Sequence, residues 1–381
     1  MTIGTWRGVI CAAGFAAAGM AAVFFACGGG DGAEAPCGAA NPCPAGEFCS
    51  VTGTCMGNGR CLADGDCDMG MMCGKSRTCV PATDRCGRVV QVPPELLFVV
   101  DRSCSMQPAI GSTTKWAAAV GAVMGVVNKY AGMLYFGLIL FPDKVKPNCS
   151  QDVVAVTPGA SGGDDIRTLL TAALDTNSEY YPSGPCVTNI DTAMAAAANV
   201  FADAGKGRDT FALLLTDGVQ SDSCGGAAQD VVTEGTIATL YAHGTPTFVV
   251  GFNAQADRAE LDRFAAAGGV PSTDPTDAYY PAQDDATLLA VLDGIAQRTL
   301  TCDFPLTGDP PCAGDIYVFF GSAGGYAAVG ESTSDGWSHD AAGRKLVFNG
   351  PACDKVRSGA ITGVYVVYGL DCGAQCPAAA D

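Results

Sequence analysis

Positive charge and histidine are scarce in this chain of 381 residues. Lys and Arg together number 21 against 39 Asp and Glu, a net charge of -18 at neutral pH. A surface of that sign repels phosphate backbones, which excludes nucleic acid as a partner. It suits a solvated, exported protein, and an acidic partner would have to be held locally, at a metal, against long-range repulsion. The only histidines are His243 and His339. A catalytic thiol needs a base, so Cys104 reads poorly as a nucleophile. His243 follows a predicted helix and reads as a helix-end residue, while His339 falls in the C-terminal region.

Large apolar residues are scarce over residues 37–86, where Phe48, Leu62, Met69, Met71 and Met72 are nearly all there is. No hydrophobic core can form from so little, and the segment must be stapled instead. The staples are visible. Cys37, Cys43, Cys49, Cys55, Cys61, Cys67, Cys73 and Cys79 recur every six residues, and Gly46 with Gly70 and Thr54 with Thr78 recur at twenty-four. These are two copies of a four-cysteine module, and each copy allows three disulfide pairings. The run resembles the small cysteine-rich modules of the Dickkopf amino-terminal type. Asp64-Gly65-Asp66-Cys67-Asp68 imitates the start of a calcium loop, but Met69 and Lys75 stand where a glycine and an acidic ligand are required, so it reads as a polar turn. The module is expected to be a stiff spacer.

Residues 1–26 carry one charge, Arg7, and a long Ala, Gly and Val-rich stretch ending at Cys27, the pattern of a secretory signal. Phe24-Phe25-Ala26 before Cys27 resembles a bacterial lipobox, with Phe24 in place of the usual Leu. Cleavage with lipidation of Cys27 is expected, followed by a tether over 27–36; the rival is an uncleaved anchor helix over 8–26. Either way the chain is exported, and the expected location is the cell envelope, as an outer-membrane lipoprotein with the lipid as its membrane contact. Of 20 cysteines, Cys11 and Cys27 fall in the signal and lipid site. The remaining even number fits disulfides in an oxidising compartment, which also argues against zinc.

Further on, strands and helices alternate. Leu96-Leu97-Phe98-Val99-Val100 reads as a strand buried on both faces, and residues 115–130 as an amphipathic helix with Trp116, Val120, Val123, Val127 and Tyr130 on one side. A strand over 134–141, a helix over 190–201, a strand over 211–215, a helix over 231–242, a strand over 247–251 and helices over 258–266 and 286–297 follow. This alternation predicts an α/β fold with a doubly wound, mostly parallel sheet. From Cys302 the helix pattern stops, and residues 301–381 read as a small antiparallel β unit with strands at 315–320, 344–348 and 364–368. It is expected to be either independent or packed on the central domain. Gly321-Ser322-Ala323-Gly324-Gly325 imitates a phosphate loop but no helix follows, so it reads as a turn.

Three separated fragments converge on one chemistry. Asp101-Arg102-Ser103-Cys104-Ser105 ends the first strand, Thr188 opens Thr-Asn-Ile-Asp, and Thr216-Asp217-Gly218 ends another strand. Carboxyl ends of strands in open α/β sheets are where ligands bind. Two carboxylates, Asp101 and Asp217, and three hydroxyls, Ser103, Ser105 and Thr188, can meet there. An oxygen-only set suits Mg2+, with Mn2+ or Ca2+ as alternatives. Cys104 and Cys224 belong to the same face of the sheet, and Cys149 and Cys186 fall in loops, Cys186 two residues before Thr188. The expected pairs are Cys104 with Cys224 and Cys149 with Cys186.

Asp-x-Ser-x-Ser, then Thr, then Thr-Asp-Gly, in this order and on these elements, resembles a von Willebrand factor type A domain over residues 92–300. The resemblance implies a Rossmann-like fold in which Asp101, Ser103, Ser105, Thr188 and Asp217 form a metal-ion-dependent adhesion site. It further implies a non-enzymatic protein that binds a partner presenting an acidic side chain. The alternatives are an envelope assembly factor whose ion staples the loops, and a metal-dependent hydrolase, for which no general acid or base is evident.

Overall fold

In a computed structural model, the described residues are 93–143, 151, 153–184, 186–202, 209–221, 229–252, 258–306, 316–322 and 324–368, with 37, 42–50, 54–57, 59–62, 66–67, 71–73 and 77–81 in the cysteine-rich region. The expected signal, Cys27, the tether, Cys149 and Cys224 lie outside them.

The cysteine-rich region forms two hairpins, β1 (Glu47–Cys49) with β2 (Cys55–Gly57) and β3 (Met71–Cys73) with β4 (Cys79–Pro81). Both copies use the same one of the three pairings, first cysteine with third and second with fourth: Cys37–Cys49 and Cys43–Cys55, then Cys61–Cys73 and Cys67–Cys79. The thiols are thereby consumed, which leaves no thiolate set for zinc in these copies.

The α/β domain begins with β5 (Glu95–Asp101), then a short hairpin of β6 (Ala109–Ile110) and β7 (Thr113–Thr114), and α1 (Lys115–Lys129). There follow β8 (Tyr135–Phe141), β9 (Val156–Gly159), α2 (Gly162–Ala172), α3 (Ile190–Ala202), β10 (Thr210–Thr216) and α4 (Gln229–Ala242). β11 (Thr247–Phe252), α5 (Arg258–Ala267), β12 (Tyr280–Ala282) and α6 (Asp285–Thr299) complete it. The sheet order is β12-β11-β10-β5-β8-β9, parallel throughout except for β9 at one edge. β5 is central and its residues alternate between two cores. Leu96, Phe98 and Val100 face the side covered by α1, α2 and α6; Leu97 and Val99 face the side covered by α3, α4 and α5. This double-sided burial is why the strand reads as a continuous apolar run. Among the described residues no helix is long and apolar enough to cross a membrane.

The C-terminal residues form β13 (Asp303–Pro305), β14 (Ile316–Ser322), β15 (Gly325–Val329), β16 (Gly336–Asp340), β17 (Lys345–Asn349), α7 (Pro351–Arg357) and β18 (Gly363–Tyr368). Two three-stranded antiparallel sheets, β13-β17-β16 and β15-β14-β18, meet over Phe304, Phe320 and Phe348. In the glycine-rich stretch after Phe320, Gly321 and Ser322 end β14 and Gly325 opens β15, so a strand and not a helix follows it. α7 is a helix where none was expected. The unit is packed rather than independent, because Phe304, Phe320, Phe348 and Val356 belong to the same buried cluster as Trp116 and Tyr130 of the α/β domain. Its docking point is the end of α1: Gly132 lies against Thr362, and Gly359 against Tyr130. Met71 and Met72 of the second cysteine copy pack in turn on Phe319 and Val367, so that copy is docked and not a free-standing spacer. A cleft lined by Pro94, Asp209, Leu300 and Phe304 marks this junction. Pro94 and Asp209 precede β5 and β10, so the C-terminal unit sits at the amino ends of the strands and carries the second cysteine copy on Phe319 and Val367.

Candidate metal centre

The opposite pole, at the carboxyl ends of β5 and β10, collects the polar residues. Asp101 closes β5 and its side chain is fully buried. The Ser103 amide donates to Asp101 Oδ1 at 2.7 Å, and Thr216 Oγ1, at the end of β10, donates to Asp101 Oδ2 at 2.8 Å. The Ser103 and Ser105 hydroxyls are 2.8 Å apart, and Ser105 Oγ donates to Asp217 Oδ1 at 2.7 Å. Four of the five expected residues thus form one hydrogen-bonded chain, Asp101, Ser103, Ser105 and Asp217.

Thr188 stands in the loop before α3, half-buried, and its hydroxyl is outside that chain. Its carbonyl accepts from the Ser221 amide at 2.8 Å, which fixes the loop beside the Thr216-Asp217 turn. A second tie is covalent and corrects the expected pairing. Cys104 is bonded to Cys186, with Cα atoms 4.8 Å apart, so neither Cys104–Cys224 nor Cys149–Cys186 forms. The reason is local: Cys104 lies between the two site serines and Cys186 two residues before Thr188, whose loop is held beside the Thr216-Asp217 turn, so the two loops meet with their sulfurs within bonding reach. Cys224 was placed by sheet face and Cys149 by its position in the chain, and neither criterion is as narrow as the reach of a disulfide.

Two further residues escaped the sequence reading. Arg102 is buried and donates from Nε to the Pro142 carbonyl at 2.9 Å and from Nη1 to the Glu179 carbonyl at 3.0 Å, bracing the first loop from behind. Lys115, the first residue of α1, sends Nζ to within 2.7 Å of Asp217 Oδ2. No sequence signal marks either role.

Burial first, and the neighbouring Asp217 carboxylate second, push the Asp101 carboxyl up to about 7. Two buried acids drawn together in this way, with hydroxyls on the same side, form a donor set that a hard divalent cation fits and that a neutral site would not need. The sign of the pH effect follows. Between its ordinary value near 3.8 and about 7, Asp101 holds a proton in the folded state that the unfolded chain has released. Stability of metal-free protein should therefore fall as pH rises through that window, by on the order of 1 kcal/mol per pH unit. Denaturant titrations in chelator across the window will show this slope, and Asp101→Asn should flatten it.

A mostly parallel α/β sheet with two buried acids and two hydroxyls gathered at its carboxyl pole defines the class. The family model for the von Willebrand factor type A domain matches residues 95–290, just over half of the 381, and the chain belongs to that family. Its domains commonly serve in adhesion and protein–protein interaction and are mostly non-enzymatic. Similar solved structures include BatB from Bacteroides thetaiotaomicron, 13% identical with TM-score 0.40, covering 54% of this chain and 98% of that one. The type V pilus tip protein Mfa5 domain from Porphyromonas gingivalis is 12% identical, TM-score 0.41, covering 55% and 95%. The pilus adhesin SpaC from Lactobacillus rhamnosus GG is 14% identical, TM-score 0.43, covering 74% of this chain and 40% of that one. A comparison with curated proteins finds no match.

Proposed function

We propose that this is an exported protein, anchored through a lipid on Cys27 at the outer membrane, whose type A domain captures a protein partner through Mg2+. The observation that carries the reading is the Asp101, Ser103, Ser105, Asp217 chain at the pole opposite the accessory modules. Asp101, Ser103, Ser105, Thr188 and Asp217 would hold the ion, with Mn2+ or Ca2+ as substitutes. A bound ion supplies an electrophilic coordination position that a partner's carboxylate can fill. The three hydroxyls are neutral and leave much of the ionic charge unscreened, while Asp101 and Asp217 fix its place. Because the C-terminal unit sits at the amino ends of the strands and the second cysteine copy docks on that unit, the site would face away from the anchored end.

The rival in which an ion serves only to staple the loops is disfavoured by the staples already present, Cys104–Cys186 and the Ser221 to Thr188 hydrogen bond. Hydrolysis is disfavoured because His339 lies on β16 of the C-terminal unit and His243 just beyond α4, neither in the hydrogen-bonded chain. The test is to draw partners from cell-surface extracts with wild type and Asp217→Ala, each with Mg2+ and with chelator. Capture by wild type in Mg2+ alone is expected; the same partners in all four conditions would end the metal-bridged reading.

A further inference from the structure

We infer that Lys115 is a tethered competitor for the metal, an affinity-setting residue whose ammonium holds the acidic site together when no ion is bound. The inference rests on the proposal that Asp101 and Asp217 bind a divalent cation, and it concerns what opposes that binding.

The geometry is specific. Asp217 has no exposed side-chain surface, and its two oxygens are shared between the Ser105 hydroxyl at 2.7 Å and Lys115 Nζ at 2.7 Å. The ammonium thus takes up lone-pair capacity on Asp217 that a bound cation would also draw on. The backbone of Lys115 is pinned while its side chain is not. Its amide donates to the Pro108 carbonyl at 3.0 Å, closing the β6–β7 hairpin, and Thr114 caps α1 by accepting from the Ala117 amide. Four methylenes then carry the charge over the site, and the side chain remains 14% exposed, with a route to solvent.

Helix physics does not ask for a lysine here. The first turn of a helix carries a partial positive charge and favours acidic residues, yet α1 opens on Lys115 and has no acid in that turn. What offsets the wrong-signed charge is Asp217. Charge counting gives the consequence. With Asp101 ionised, two carboxylates and one ammonium sum to one negative charge; a divalent ion added with the ammonium in place leaves an excess positive charge in a buried site. Lys115 must swing outward or repel the ion, and either course weakens binding.

The test is calorimetric titration of Mg2+ into the full disulfide-bonded chain as wild type, Lys115→Met, Lys115→Gln and Lys115→Arg. Both neutral variants should bind Mg2+ about tenfold tighter or more, and Lys115→Arg should stay close to wild type. In chelator, Lys115→Met should melt below wild type, and Mg2+ should raise its melting temperature by more than it raises that of wild type. Wild-type binding that the neutral variants leave unchanged or weaken overturns the role of Lys115 alone. No Mg2+ binding by any of the four proteins overturns the metal site and this inference together.

Discussion

Cys104→Ser with Cys186→Ser should lower stability by about 4 kcal/mol and weaken Mg2+ binding at least tenfold. The first figure comes from the cross-link itself: the two cysteines are 82 residues apart, and releasing a loop of that length returns about 4 kcal/mol of chain entropy to the unfolded state. The second comes from where the bond sits. It joins the Ser103–Ser105 loop to the Thr188 loop, so its loss lets the hydroxyls of the two loops drift relative to Asp101 and Asp217. Cys302–Cys353 provides the comparison, since it closes 51 residues in the C-terminal unit, away from the site. Its removal should cost a similar amount of stability and leave Mg2+ affinity as it was. Denaturant unfolding and calorimetric titration on both double variants decide the matter; equal affinities in the two would show that the site disulfide is a stability device and nothing more.

The contrast between these cysteine pairs shows what could be read from the chain and what could not. The apolar runs ending at Asp101 and Thr216 announce buried parallel strands, and the acids beside them announce the pole where the polar side chains gather, because both signals are local. The helix Gly162–Ala172 was not announced: it opens on two glycines and two acids, and Ile166 and Leu170 are its buried large side chains. Pro351–Arg357 hides for another reason, being seven residues long and lying among strands. Disulfide partners depend on distances between loops, which no local pattern encodes. The ion pair of Lys115 with Asp217 spans 102 residues and is invisible for the same cause. Met71 and Met72 fall between these cases. They stood out as rare apolar residues in a polar module, and they are the ones that dock it, but their target on Phe319 and Val367 is fixed by tertiary packing.

That docking chain has a critical contact, and Gly132→Ala should break it at a cost of about 3 kcal/mol. Gly132 has φ of +80°, where an L side chain is strained, and a Cβ there would lie 2.4 Å from the Thr362 carbonyl oxygen. The carbonyl cannot retreat without moving β18, whose Val364 and Val366 are fully buried. The variant must therefore either strain the α1–β8 turn or lift the C-terminal unit from the end of α1. Gly121 in the middle of α1 is the opposite case: nothing lies within 4 Å of a Cβ at that position, and Gly121→Ala should stabilise by up to about 1 kcal/mol through helix propensity. Scanning calorimetry should show one transition for wild type and Gly121→Ala, and a lowered or divided transition for Gly132→Ala. Mg2+ affinity should survive in Gly132→Ala, because the strain falls at the amino pole of the sheet and the acids stand at the other. A Gly132→Ala protein as stable as wild type would mean that the C-terminal unit is not seated on α1 in this way, and the case for a site held outward by modules behind it would lose its footing.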